Sequence, residues 1–149
     1  DILGRTGNYL DQAELNYYLG RDDQMRAGAD SARVFLESKV ATVPEDGWWH
    51  CQLGLTFGYL GRKDDAVREA QTGAALMPLS KDAVWGPQSG LKLARVYLLV
   101  GEYDSAIKQL ETLLKTKIGL ISVPLLRNHP FWAPLRDHPR FQKLIADNS

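Results

Sequence analysis

Three glycines, Gly20, Gly61 and Gly101, recur at intervals of 41 and 40 residues, each at the same place in a shared pattern. The stretches are YYLGRDDQMRAGA from Tyr17, FGYLGRKDDAVREA from Phe57 and LLVGEYDSAIKQL from Leu98. An apolar-periodic stretch of helical length precedes each glycine, and an Asp-bearing turn and a second such stretch follow. Glycine just past a helix end supplies the left-handed residue that closes the helix. Aspartate at the start of the next helix suits both N-capping and the macrodipole. Each unit therefore reads as helix, tight turn, helix. Such a unit buries its apolar face only by stacking on its neighbours.

This register predicts helices over 7–19, 22–42, 47–60, 63–76, 86–100 and 103–116, in units of about 6–45, 47–80 and 86–118. No segment alternates with period two over a convincing length, so the expected class is all-α, one domain over 1–149. Pro44, Pro78 and Pro87 fall in the gaps between units, where proline ends or starts helices. Gly54, Ala66, Ala94 and Ala106 sit where paired helices must approach closely, while Leu53, Phe57, Leu93 and Tyr97 fill the space between helices.

These residues resemble the tetratricopeptide (TPR) repeat. The middle unit carries Leu53-Gly54, Phe57, Gly61, Ala66 and Pro78; the third carries Leu93-Ala94, Tyr97, Gly101, Ala106 and Leu110. They match the Leu-Gly-x-x-Tyr, Ala-x-x-x-Phe and Pro slots of that motif. The tryptophan slot departs from it, with His50 in the middle unit, Trp49 one residue early, and Gly90 in the third. The first unit keeps Ala13, Gly20, Ala29 and Ala32, and the period exceeds the usual ~34 residues. The resemblance implies a superhelix of about three helix-turn-helix units whose first helices line a concave surface.

The C-terminal stretch SVPLLRNHPFWAPLRDHPRFQKLI nearly repeats itself, with His129-Pro130 and His138-Pro139 in equivalent places. Val123-Pro124-Leu125-Leu126-Arg127, Trp132, Pro134-Leu135-Arg136 and Pro139-Arg140-Phe141-Gln142 are similar to a tail that closes TPR arrays in multidomain bacterial regulators. There the array accompanies a winged-helix, nucleotide cyclase or Ser/Thr kinase domain, often with a TolB-like segment between, and aspartate stands where this chain has the two histidines. The resemblance implies a cap over 122–149, with Phe131, Trp132, Leu135, Phe141 and Leu144 covering the face of the helix that bears Ile107, Leu110 and Leu114. On the structural reading each His-Pro opens a short helical turn, with Asn128 and Asp137 sharing the capping. On the metal reading His129 and His138 are ligands, but no Cys or acidic cluster at ligand spacing completes a zinc set. A start at Asp1, without Met, suggests a piece of a longer protein.

Composition narrows the function classes. Lys plus Arg balances Asp plus Glu at 18 each, which argues against nucleic-acid binding by this domain and against a polybasic membrane anchor. No apolar run reaches the ~18 residues of a membrane span. The lone Cys51 fits a reducing compartment or an export route without disulfides, so the sequence leaves localisation open. An enzymatic reading would use Cys51 beside His50, yet adjacent helical residues do not face each other, and no third group orients the pair. Asp22-Asp23 and Asp64-Asp65 are explained by helix N-terminal charge, and no phosphate loop or other cofactor motif is present.

What remains is the groove. With the three glycines as register marks, the candidates that face a partner are Glu14, Tyr17, Gln52, Leu55, Tyr59, Lys92 and Arg95, with Leu10, Cys51, Leu91 and Leu99 beside them. Some TPR proteins clamp a peptide carboxylate with Lys, Asn and Arg, a set these positions do not reproduce. The groove expected here is aromatic and apolar, acidic at Glu14 and basic at Lys92 and Arg95, so the expected partner is a protein or peptide with acidic character. The expected function is a protein-interaction or regulatory scaffold module of a larger bacterial signalling or transcription-regulating protein, without enzymatic activity. The alternatives are a self-association module that sets the oligomeric state of its parent, and a small-ligand or enzymatic domain.

Overall fold

The computed structural model describes residues 2–116 and 119–149, with side chains from residue 8 onward. Its elements in chain order are α1 (Ile2–Tyr18), α2 (Asp22–Thr42), α3 (Gly47–Tyr59), α4 (Lys63–Leu76), α5 (Trp85–Leu99) and α6 (Tyr103–Leu114). The tail adds α7 (Val123–Asn128), a 3-10 helix (Pro130–Leu135) and α8 (Pro139–Asp147). Among the described residues there is no strand, so the all-α expectation holds. The expected third-unit boundary at 118 lies outside the described residues. Helix α1 starts at Ile2, earlier than expected, because Gly4 and Gly7 lower helix propensity without ending the helix.

Each of the three turns closes in the same way. Gly20, Gly61 and Gly101 have φ of 65°, 74° and 80°, a region that costs a Cβ-bearing residue dearly. The next residue then donates backwards: Arg21 N–H to Asn16 O at 2.9 Å, Arg62 N–H to Phe57 O at 3.0 Å, and Glu102 N–H to Tyr97 O at 2.8 Å. These are three Schellman closures, and they fold the chain back into the hairpins α1/α2, α3/α4 and α5/α6. The expected aspartate N-caps are not formed: the cap positions of α2, α4 and α6 are Arg21, Arg62 and Glu102, without side-chain caps. Asp22, Asp23, Asp64, Asp65 and Asp104 lie inside the first turn, where they act as charges on the helix end.

The hairpins stack in order, α2 on α3 and both α3 and α4 on α5. Ala66, Ala94 and Ala106 are fully buried at the crossings. A Cβ built on Gly54 would sit 2.9 Å from the backbone N of Ala70, so the α3/α4 crossing requires glycine there. Within α3, Trp49 turns toward α2 and meets Phe35 edge-on, with ring centroids 6.0 Å apart.

The tail covers the open face of α6. Ile107, Leu110 and Leu113 are buried against Leu126, Phe131, Trp132, Leu135, Phe141 and Leu144. Leu113 takes the place expected for Leu114, which is only half-buried. Full burial of each such side chain is worth roughly 1.5–3 kcal/mol. Arg140 fastens α8 to α6 through a two-pronged contact with Glu111, at 3.1 and 3.0 Å.

The two histidines are caps in their own right. His129 Nδ1 accepts the Phe131 N–H at 3.2 Å, and His138 Nδ1 accepts the Arg140 N–H at 3.3 Å. The sharing expected of Asn128 and Asp137 is not seen, because the residue directly before each proline already has the extended backbone of an N-cap.

Candidate interaction surface

The alternate helices α1, α3 and α5 share one side of the stack, and their side chains converge there on a depression of about 90 Å3. Helix α1 brings Leu10, Asp11 and Glu14; α3 brings Gln52, Leu55 and Tyr59; α5 brings Lys92 and Arg95. Six of the seven sequence-predicted residues therefore line one concavity, although they come from three units. The seventh, Tyr17, stands beside it, half-buried, between Tyr59 and Phe131, with ring centroids 5.9 Å from each. Leu55 and Tyr59 are almost fully buried and form the floor. Glu14, Gln52, Lys92 and Arg95 are partly exposed and form the walls.

The charges are not laid out as the sequence suggests. Glu14 and Arg95, expected as separate acidic and basic ends, form an ion pair with each other. Glu14 also accepts a hydrogen bond from the Tyr18 hydroxyl at 2.7 Å. The other side of Arg95 lies over the Phe131 ring, 4.5 Å from its centroid. Arg95 is thus spent within the chain. Lys92 differs: among the described residues it has no acidic partner within 4.0 Å, and its ammonium rests over the Trp48 ring at 4.7 Å. Burial pushes the Lys92 pKa down, and the neighbouring Arg95 pushes the same way. The α1 tyrosines are also affected by their setting: burial raises the Tyr17 phenol, and burial and the Glu14 carboxylate raise Tyr18.

One residue expected beside the groove falls elsewhere. Cys51 does not face the concavity: it is fully buried against Gly73 of α4, whose lack of a side chain makes room for the sulfur. Burial pushes its thiol up to about 11. Its neighbour His50 is engaged elsewhere, with Nδ1 2.6 Å from Glu69 Oε2 and Nε2 2.8 Å from the Pro44 carbonyl. His50 therefore ties the α2–α3 connection to α4, and it has no geometry for activating the thiol. Leu91 remains at the groove, in a second depression of about 160 Å3 closed by Leu125, His129, Phe131 and Trp132 of the tail. The tail thus enters one end of the concave side, which local spacing did not foretell.

A third depression, of about 330 Å3, opens beyond Lys92 and is lined by Asp46, Trp48, Met77 and Trp85. Its tryptophans meet edge-to-face at 5.3 Å, and Trp85 is 49% exposed. The sequence signal for it was the pair Trp48-Trp49: adjacent helical residues point about 100° apart, so if one packs on α2 the other must point outward. Among the described residues no helix is long and apolar enough to cross a membrane. The chain matches no family model, no curated protein and no solved structure.

Proposed function

We propose that this chain is a protein-interaction module, a TPR-like helical array that holds a partner segment of acidic character on the side shared by α1, α3 and α5. One observation carries the reading: residues from three sequence units converge there around Lys92, a half-buried ammonium without an acidic partner among the described residues. Asp11 and Glu14 line the same depression and act on Lys92 at longer range; an acidic side chain from a partner supplies the direct ion pair that they do not make. The engagement of His50 and the depth of Cys51 favour this non-catalytic reading over an enzymatic one. The tail's similarity to those of bacterial regulators supports a place within a larger signalling or transcription-regulating protein, whose other domains would make any DNA contact.

The test is a peptide-display selection against the immobilised module, followed by affinity measurement on Lys92→Glu. Selected segments are expected to be acidic, and the substitution to weaken them more than about tenfold at low salt, with the difference shrinking as salt rises. Equal affinity for Lys92→Glu and the native chain moves the interaction to the convex side.

A further inference from the structure

We infer that the surface continues past Lys92 onto the Trp48–Trp85 depression, and that it accepts a peptide segment in which an apolar side chain is flanked by an acidic residue on one side and a basic residue on the other. The inference rests on the reading of the α1–α3–α5 side as the interaction surface and extends it to residues outside that groove.

The physical argument has three parts. The first is continuity. Lys92 lines the central depression and also lies over the ring of Trp48, which lines the outer one, so a segment seated on Lys92 reaches the tryptophans within one or two residues. The second is exposed apolar area. Trp85 is 49% exposed, and half-buried Met77 and Trp48 complete the wall. A rigid aromatic pair beside a pliable thioether favours an aliphatic or aromatic side chain.

The third part is charge order. Beyond the tryptophans the surface turns acidic. Asp46 lines the depression and uses Oδ1 to accept the Trp48 N–H at 3.0 Å. Asp82 likewise uses Oδ1 for the Val84 and Trp85 N–H groups, at 3.0 and 2.7 Å. Among the described residues the second oxygen of each carboxylate has no partner, which leaves it to a cation. Glu14 is taken up by Arg95 and Asp11 makes no ion pair with Lys92 within 4.0 Å among the described residues, so from the Lys92 ammonium over Trp48, past Trp85, to Asp46 the strip runs positive, apolar, negative. A complementary segment runs acidic, apolar, basic.

The experiment uses the full chain, labelled with 15N, and follows its backbone amide signals together with its four tryptophan indole N–H signals, the latter assigned by single Trp→Phe variants. The probe is the synthetic peptide acetyl-Glu-Glu-Leu-Phe-Lys-Lys-amide. One control replaces the two glutamates by lysine; the other replaces Leu-Phe by Ser-Ser. The probe is expected to move the Trp48 and Trp85 signals in a saturable way, leaving that of buried Trp132 in place, and each control to bind at least about tenfold more weakly. Trp85→Ser should abolish the response with its melting temperature kept. If the probe moves Gln52 and Tyr59 but neither indole, the groove reading stands and the extension fails. If it moves none of these, both fail. If the all-lysine control binds as well as the probe, the charge order is wrong.

Discussion

Arg95 holds Glu14 on one side and the face of Phe131 on the other, so a single guanidinium joins α1, α5 and the tail. The planar guanidinium both stacks and pairs, which an ammonium does less well. A double-mutant cycle between Arg95→Met and Phe131→Leu is expected to show a coupling of about 0.5–2 kcal/mol in urea denaturation. Arg95→Lys should recover only part of it. Additive single effects would mean that the stacking contributes nothing.

Gly73 is required by the sulfur it faces. A Cβ there would fall inside the radius of Cys51 Sγ and within 2.7 Å of the Gly47 carbonyl oxygen. Gly73→Ala should therefore destabilise by roughly 1–3 kcal/mol, and adding Cys51→Ala should return part of the loss. The midpoint of chemical unfolding reads this directly. An unaffected Gly73→Ala variant would place Cys51 away from α4.

Cys51 also sets a pH dependence. Its thiol titrates near 9 in the open chain and at about 11 when folded. Between those values the folded state holds a proton that the unfolded state has lost, so stability is full below pH 9 and declines as pH rises toward 11. The loss is at most about 2–3 kcal/mol. Cys51→Ala should remove this component of the slope. A native chain whose thiol reacts with Ellman's reagent as quickly as an unfolded control would contradict the burial.

Truncation after Ile121 exposes Ile107, Leu110 and Leu113 as one contiguous stripe. The truncated chain should be insoluble, or should elute from size exclusion as a larger species than the full chain. Within the tail, Trp132→Ala should cost about 3–5 kcal/mol, because the ring is 3% exposed.

His129→Asp should keep the fold and improve the cap by a few tenths of a kcal/mol or more, since a carboxylate is the better acceptor. His138→Asp gains less, because Asp104 lies 3.8 Å from the imidazole and would oppose the new charge. Calorimetric melting distinguishes the two. Loss of a bound metal together with stability in either variant would support the ligand reading instead.

The turns were legible because their chemistry is local: only Gly20, Gly61 and Gly101 tolerate the backbone found there, and their spacing marks out the three hairpins. Helix α6 was legible for a similar reason, since its apolar and polar residues separate cleanly and only the choice of Leu113 over Leu114 was missed. Helix α3 was not. Ten of its thirteen residues are buried, so no polar face tells which side meets α4 and which meets the concavity. Cys51 was misplaced for that reason. The Glu14–Arg95 pair was missed for another: each residue's local spacing is compatible with a solvated charge, and only the stacking of three units brings them together.

Tyr17 and Tyr18, at the end of the first helix, touch Phe131 and His129 of the tail. An open array can fray from either end, each hairpin being answerable only to the next. Here the two ends are latched, so loosening one withdraws support from the other. The molecule should then unfold as one unit rather than peel. The latch should also set a folding order: its contacts close the loop from Tyr17 to Phe131, which spans most of the chain, so they form after the hairpins they join.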